Sequence, residues 1–227
     1  MEEEKAPLLL TIAVLGGTGK EGKGLAYRWA KAGYKVLIGS RSSERAVTTA
    51  SEIMELLEGS SSLVGTSNQE AAQLAEIVVL TVPYAAHRET LESVKDALKG
   101  KLLIDTTVPL MKPMNKVQMP PAGSAAQEAK EILGDDVQVV AAFQNTSYEL
   151  LLTDDDIECD VLITGTSKDA RTEALTVVEA AGLTGWDAGP IENAAVVEGL
   201  TSVLININKQ HGSKHAGIKI TGVNRDE

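Results

Sequence analysis

The sequence predicts an α/β protein of the Rossmann type, a doubly wound and mostly parallel sheet followed by a smaller C-terminal α+β domain. Three observations carry this. Short apolar, β-branched runs alternate with stretches of helical periodicity from residue 8 to residue 142. The first run leads directly into Gly17-Thr18-Gly19-Lys20-Glu21-Gly22, a G-x-G-x-x-G turn that opens a helix. Beyond residue 147 the pattern changes to an acidic turn, a strand, a helix and a long apolar helix. The expected division is residues 1–147 as a nucleotide-binding domain and residues 148–227 as a smaller domain.

Residues 8–15 are almost unbroken in apolar character and of strand length. In the turn that follows, Gly17 permits a tight bend, Gly19 admits a pyrophosphate close to the backbone, and Gly22 lets the helix pack closely on the strand. The helix N-terminus then presents free N–H groups and a positive dipole end to phosphates. This helix is expected over residues 20–32, stopped by Gly33. The second strand ends at Gly39. Where a unit selective for NAD carries an acidic residue, this chain has Ser40-Arg41, with Arg45 one helical turn further on. A hydroxyl and two guanidinium forks suit a 2′-phosphate, so NADP(H) is favoured over NAD(H).

A second helix is expected over 43–57, broken by Gly59-Ser60-Ser61-Ser62, then a short strand at 63–65 and a short helix at 68–75. The run Ile77 to Val82 reads as a central parallel strand that Pro83 stops. Helix 85–98, strand 102–105, a proline-bearing loop, helix 122–133 and strand 137–142 complete the alternation. In the C-terminal part a strand is expected at 160–164, a helix at 168–181 and a last helix at 192–207. That helix carries Ala195, Val196, Leu200, Val203, Leu204 and Ile207 towards a packing surface. Ligands on such sheets bind outside the carboxyl ends of the strands, which selects loops 16–22, 40–45, 81–87, 106–113 and 143–148.

The composition narrows the function. A hydrophobic fraction of 43% in 227 residues is enough for a real core and argues against disorder. A net charge of −11 argues against a nucleic-acid partner and makes Arg41 and Arg45 a local basic site on an acidic protein. The single cysteine, Cys159, excludes an internal disulfide and a cysteine-cluster metal site, and its acidic neighbours oppose thiolate formation. No segment approaches the roughly eighteen apolar residues of a membrane span, and the start Met1-Glu2-Glu3-Glu4-Lys5 is unlike a secretion signal. A cytoplasmic location without membrane contact is expected. Of the histidines, His87 is balanced between the crevice and solvent. His211 and His215 have i, i+4 spacing, but no other ligand completes a metal set, and contact with a partner subunit or second substrate is the better expectation.

The stretches VLGGTGKEGKGLA, GSR with Arg45, LTVP followed by Tyr84 and His87, and DAGPIENAAVVEGLTSVLININKQHG together resemble the NADPH-dependent reductases of coenzyme F420, also called F420-dependent NADP oxidoreductases. The resemblance covers nearly the whole chain. It implies a homodimer, with NADP(H) held by the N-terminal domain and the deazaflavin F420 covered by the C-terminal one. It implies phosphate contacts at Thr18, Gly19, Lys20 and Glu21, 2′-phosphate contacts at Ser40, Arg41 and Arg45, and cofactor contacts at Tyr84, Val108 and Tyr148. The chain departs from the family in one loop, with Gln144 in place of a His and Asn145-Thr146-Ser147 in place of Thr-Ile-Pro.

Hydride transfer between two planar heterocycles leaves the electronic work to the cofactors. Holding the two ring carbons within about 3.5 Å supplies most of the rate through proximity, so water or a weakly polar neighbour suffices as proton source. Gln144 and Asn145, at the carboxyl end of a strand, are expected to position ring carbonyls by hydrogen bonds. The alternatives are an NADPH-dependent reductase of an imine, carbonyl or flavin, and a non-catalytic NADP(H) sensor.

Overall fold

The central strands of the first half are apolar on both faces, and such strands are stable only when helices cover both sides. A computed structural model describes residues 10–59, 62–111 and 116–223 and shows that arrangement. In chain order the elements are β1 (Ile12–Leu15), α1 (Lys20–Lys31), β2 (Val36–Ser40), α2 (Ser43–Leu56), β3 (Leu63–Ser67), α3 (Asn68–Leu74), β4 (Ile77–Leu80), α4 (Tyr84–Val94) and β5 (Leu102–Asp105). They continue with the two-residue strands β6 (Leu110–Met111) and β7 (Lys116–Val117), then α5 (Ala125–Leu133), β8 (Gln138–Ala141), β9 (Asp160–Gly165), α6 (Lys168–Ala180), β10 (Thr184–Pro190) and α7 (Ala194–His211). The expected strand residues 8 and 9, the break residues 60 and 61, and Pro113 lie outside the described residues.

Eight strands form one sheet in the order β10-β9-β8-β5-β4-β1-β2-β3, and β6 and β7 form a separate small hairpin. All neighbours in the sheet are parallel except β8 and β9. The strands following residue 147 thus extend the same sheet, and the position 147/148 falls in the loop between β8 and β9. One face of the sheet packs on Trp29, Ala46, Ile53, Ala174 and Val177 from α1, α2 and α6. The other packs on Ala71, Leu91, Val94, Ala129 and Ala194 from α3, α4, α5 and α7. Trp29 closes the first layer, its indole N–H donating to the Val177 carbonyl at 2.8 Å and its ring meeting Phe143 edge-on.

The order in which strands are added reverses between β1, which is followed outward by β2 and β3, and its parallel neighbour β4, followed outward by β5 and β8. The crevice of a doubly wound sheet opens at that switch point. The last helix begins two residues later than expected and runs four residues further, to His211, where Gly212 in the left-handed region at φ 62° caps it. Residues after it turn back over the sheet. The Asp160 amide donates to the Ile218 carbonyl at 2.7 Å, and the Asp160 carboxylate accepts from the Ile220 amide at 2.8 Å and the Lys219 ammonium at 3.1 Å.

Candidate active site

The turn after β1 depends on glycine at several positions. Gly16 has φ +75°, and a Cβ there would lie 2.7 Å from Val82 Cγ1. The positive φ therefore belongs to Gly16, one residue before the glycine expected to make the bend. Gly17 is restricted differently: its amide donates to the Gly39 carbonyl at 3.0 Å, and a Cβ would lie 2.8 Å from the Val14 carbonyl. At Gly22 a Cβ would strike Thr81 Oγ1 and approach Gly17 Cα to 2.8 Å, so the first turn of α1 can rest on the strand ends only with glycine there. Asn68, at the start of α3, supports the turn by accepting from the Gly16 amide at 3.3 Å.

A cleft of about 430 Å³ opens beside this turn and is lined by Gly16, Thr18, Gly19, Ser40, Arg41 and Arg45, among others. Ser40 is buried, its hydroxyl accepting from the Ser42 amide at 3.2 Å, while Ser42 caps α2 by accepting from the Arg45 amide at 3.3 Å. These bonds orient the first turn of α2. Arg41 and Arg45 are exposed at its rim, and neither guanidinium has a hydrogen bond or ion pair among the described residues. Two unpaired guanidiniums on a chain of net charge −11 make an anion pocket.

A larger cleft of about 780 Å³ shares Gly19, Thr81, Val82 and Pro83 with the first, so the two form one groove. Its floor is Tyr84 and residues 106–108, one wall is residues 144–148, and α7 roofs it through Thr201, Leu204, Ile205 and Asn208. Lys214 and Ala216 of the returning tail reach the same space. Lys20, Glu21, Tyr84, Val108 and Tyr148 all border this larger part. The Lys20 ammonium lies 3.4 Å from the Tyr148 hydroxyl and 4.9 Å from the centre of its ring. The Tyr84 hydroxyl donates to Glu128 at 3.0 Å, and burial beside that carboxylate pushes the phenol up to about 12.

Gln144 and Asn145 are buried, and their amide nitrogens are already engaged. Gln144 Nε2 donates to the Asp105 carbonyl at 2.8 Å. Asn145 Nδ2 donates to the Val197 carbonyl at 3.0 Å and the Thr201 hydroxyl at 3.1 Å. Thr201 in turn donates to the Gln144 carbonyl at 2.9 Å, which ties α7 to the end of β8. The side-chain oxygens of Gln144 and Asn145 and the Thr107 hydroxyl have no partner among the described residues. These three buried polar atoms, on residues lining one cleft, are hydrogen-bonding groups that the described residues leave unused.

His87 belongs neither to the crevice nor to solvent, which corrects both expectations for it. It is fully buried, Nε2 lies 2.7 Å from Asp105, and Nδ1 is 3.6 Å from Glu128. Although burial opposes the charge, Asp105 and the nearby Glu128 and Glu198 raise its pKa. Glu198 of α7, also fully buried, accepts from the amides of Ala125 at 2.8 Å and Ala126 at 3.2 Å at the start of α5. Neither this cluster nor the α7 roof was found from sequence. The available signal was Glu198, a lone acid inside an apolar helix. His211 and His215 are exposed near the end of α7, the latter 3.9 Å from Glu149, and no group of metal-ligating residues occurs among the described residues. Cys159 is buried against Gly217, and burial pushes its thiol up.

A glycine turn between strand and helix at the switch point, with an anion pocket on one side and a deep apolar cleft on the other, defines a dinucleotide-binding α/β protein. The comparisons with known proteins narrow this class. Residues 11–109 match the family model described as NADP oxidoreductase, coenzyme F420-dependent. The chain is 43% identical over 222 residues to the F420-dependent NADP reductase of Methanothermobacter marburgensis, covering 94% of this chain and 99% of that one. It is 34% identical over 223 residues to the enzyme of the same name from Methanocaldococcus jannaschii, again covering 94% and 99%. This chain belongs to the F420-dependent NADP reductase family. A crystal structure from Arthrobacter sp. FB24, provisionally assigned as an F420-dependent NADP reductase, shares the fold with a TM-score of 0.81 at 23% identity, covering 94% of this chain and all of that one.

Proposed function

We infer that this protein transfers a hydride between NADP(H) and the deazaflavin coenzyme F420. The observation that carries the reading is the single groove, an anion pocket at one end and a chamber walled by Leu204, Ile205 and Val108 at the other. The residues fit both groups. Arg41 and Arg45 have free donors for a 2′-phosphate, with Ser40 beside them. The turn formed by Gly17, Thr18, Gly19 and Gly22, with Lys20, receives the pyrophosphate. The unpartnered oxygens of Gln144 and Asn145 accept from amide or ring N–H groups, so both residues orient the reacting rings without exchanging protons with them. Tyr84, Val108 and Tyr148 flank the rings.

Nicotinamide and deazaflavin supply the hydride chemistry between them. The protein's contribution is to exclude water with α7 and the returning tail and to hold the rings at reacting distance. We further propose that residues 148–227 serve as the cover of the second substrate, that two chains associate through α7, and that the protein works in the cytoplasm. No helix among the described residues is long and apolar enough to cross a membrane. Mixing the protein with NADPH and F420 and following the deazaflavin absorbance tests the central reading. Bleaching of F420 is expected, and its absence with active NADPH binding would overturn it.

A further inference from the structure

Reduction of a deazaflavin takes up one hydride and one proton, and the groups assigned so far hold rings and phosphates without offering that proton. Glu21 stands apart from them. It borders the larger cleft and not the smaller one, as do Thr106 and Thr107. Burial, reinforced by the Asp105 charge and only partly offset by a hydrogen bond with Thr106, pushes Glu21 up to about 8. Among the residues that line the larger cleft it is the one carboxyl.

The charged groups around it leave it without a cation. Lys20, next to it on α1, is turned to Tyr148. Lys214 of the tail pairs with Glu149 at 3.3 Å. Asp105, at the end of β5, is bound to His87 of α4, with Glu128 of α5 and Glu198 of α7 beyond. Among the described residues Glu21 forms no ion pair.

Taking the deazaflavin reading of the cleft as given, we propose that Glu21 is the acid–base residue that exchanges the proton accompanying hydride transfer. In the reducing direction the hydride leaves the dihydronicotinamide C–H bond with its electron pair and forms a C–H bond on the deazaflavin. NADPH is oxidised and the deazaflavin reduced. The proton leaves the Glu21 O–H bond for a ring nitrogen of the deazaflavin, and solvent reprotonates the carboxylate. The reverse direction requires the carboxylate as base.

Glu21→Gln keeps the shape and removes the titration. In the unliganded protein, the infrared C=O band of a protonated carboxyl should fade as pH rises through about 8, and the part assigned to Glu21 should be missing in the variant. NADPH affinity, read by fluorescence, should fall far less than the rate. Single-turnover F420 reduction should slow roughly a hundredfold, the lower end for a positioned acid because water competes, and should lose its alkaline limb. Glu21→Asp should be slow yet keep such a limb. An unchanged rate and pH profile in Glu21→Gln, or its loss of NADPH affinity instead, would overturn the proposal and leave the deazaflavin reading intact. No F420 turnover by the unaltered protein would overturn that reading and the proton assignment with it.

Discussion

A methyl group added at Gly22 has no free space, because Thr81 Oγ1 and Gly17 Cα already occupy it. Gly22→Ala should therefore lift α1 off the strand ends. The expected cost is ~1–3 kcal/mol of stability, as for other overpacked sites, with weakened NADPH binding, read by thermal melts and fluorescence titration. Arg41→Ala removes a charge-assisted contact without disturbing the fold, since that side chain has no intramolecular partner. NADPH affinity should fall about ten- to a hundredfold, for ~1.5–3 kcal/mol, while NADH affinity barely changes; equal losses for the two would show that Arg41 does not read the 2′-phosphate. Gln144→Ala should lower kcat by about tenfold or less, as befits one positioning hydrogen bond, and Gln144→His should remain active; steady-state kinetics with F420 reads both. The glycine turn and Ser40-Arg41 were legible in the sequence because each is a local pattern at a strand end. His87 was not, because its environment is set by Asp105, eighteen residues on, and by Glu128 from a third element.

At the scale of elements, the parallel strands were legible because burial on both faces leaves unbroken apolar runs. β10 was not anticipated: Thr184–Pro190 reads as glycine-rich and polar, and it is a strand only because β9 offers it an edge. The junction of α7 with α5 depends on Glu198, whose burial pushes its carboxyl up to about 8 although two helix amides partly offset it. A raised folded-state pKa means that the native protein holds a proton the unfolded chain releases. Stability from this group is full below about 4.5 and is lost as pH rises towards 8. One such group contributes a slope of up to about 1.4 kcal/mol per pH unit across that window. Glu21 contributes in the same range. Glu198→Gln keeps an oxygen for one cap hydrogen bond, so urea melts as a function of pH should show roughly half the slope, and an unchanged slope would show that Glu198 is ionised in the native protein.

For the whole molecule, the two faces of α7 do different things. Thr201, Leu204, Ile205 and Asn208 recur at helical spacing and roof the cleft. Val196, Val203 and Ile207 lie on another stripe and are 67%, 50% and 41% exposed, a larger apolar surface than one chain covers by itself. A second copy of the helix is the partner proposed for this stripe, and an obligate interface of that kind buries upwards of about 2,000 Å² in total. Light scattering at micromolar concentration should give twice the 24.0 kDa of one chain, and the mass of a single chain would refute the dimer. Val203→Asp places a charge in the middle of the stripe and should shift the protein to the monomer. Because that stripe backs the roof of the cleft while Arg41 and Arg45 lie on α2 and the loop before it, monomerisation should weaken F420 binding more than NADPH binding. Equal weakening of both would mean that α7 supports the whole groove and not its deazaflavin end alone.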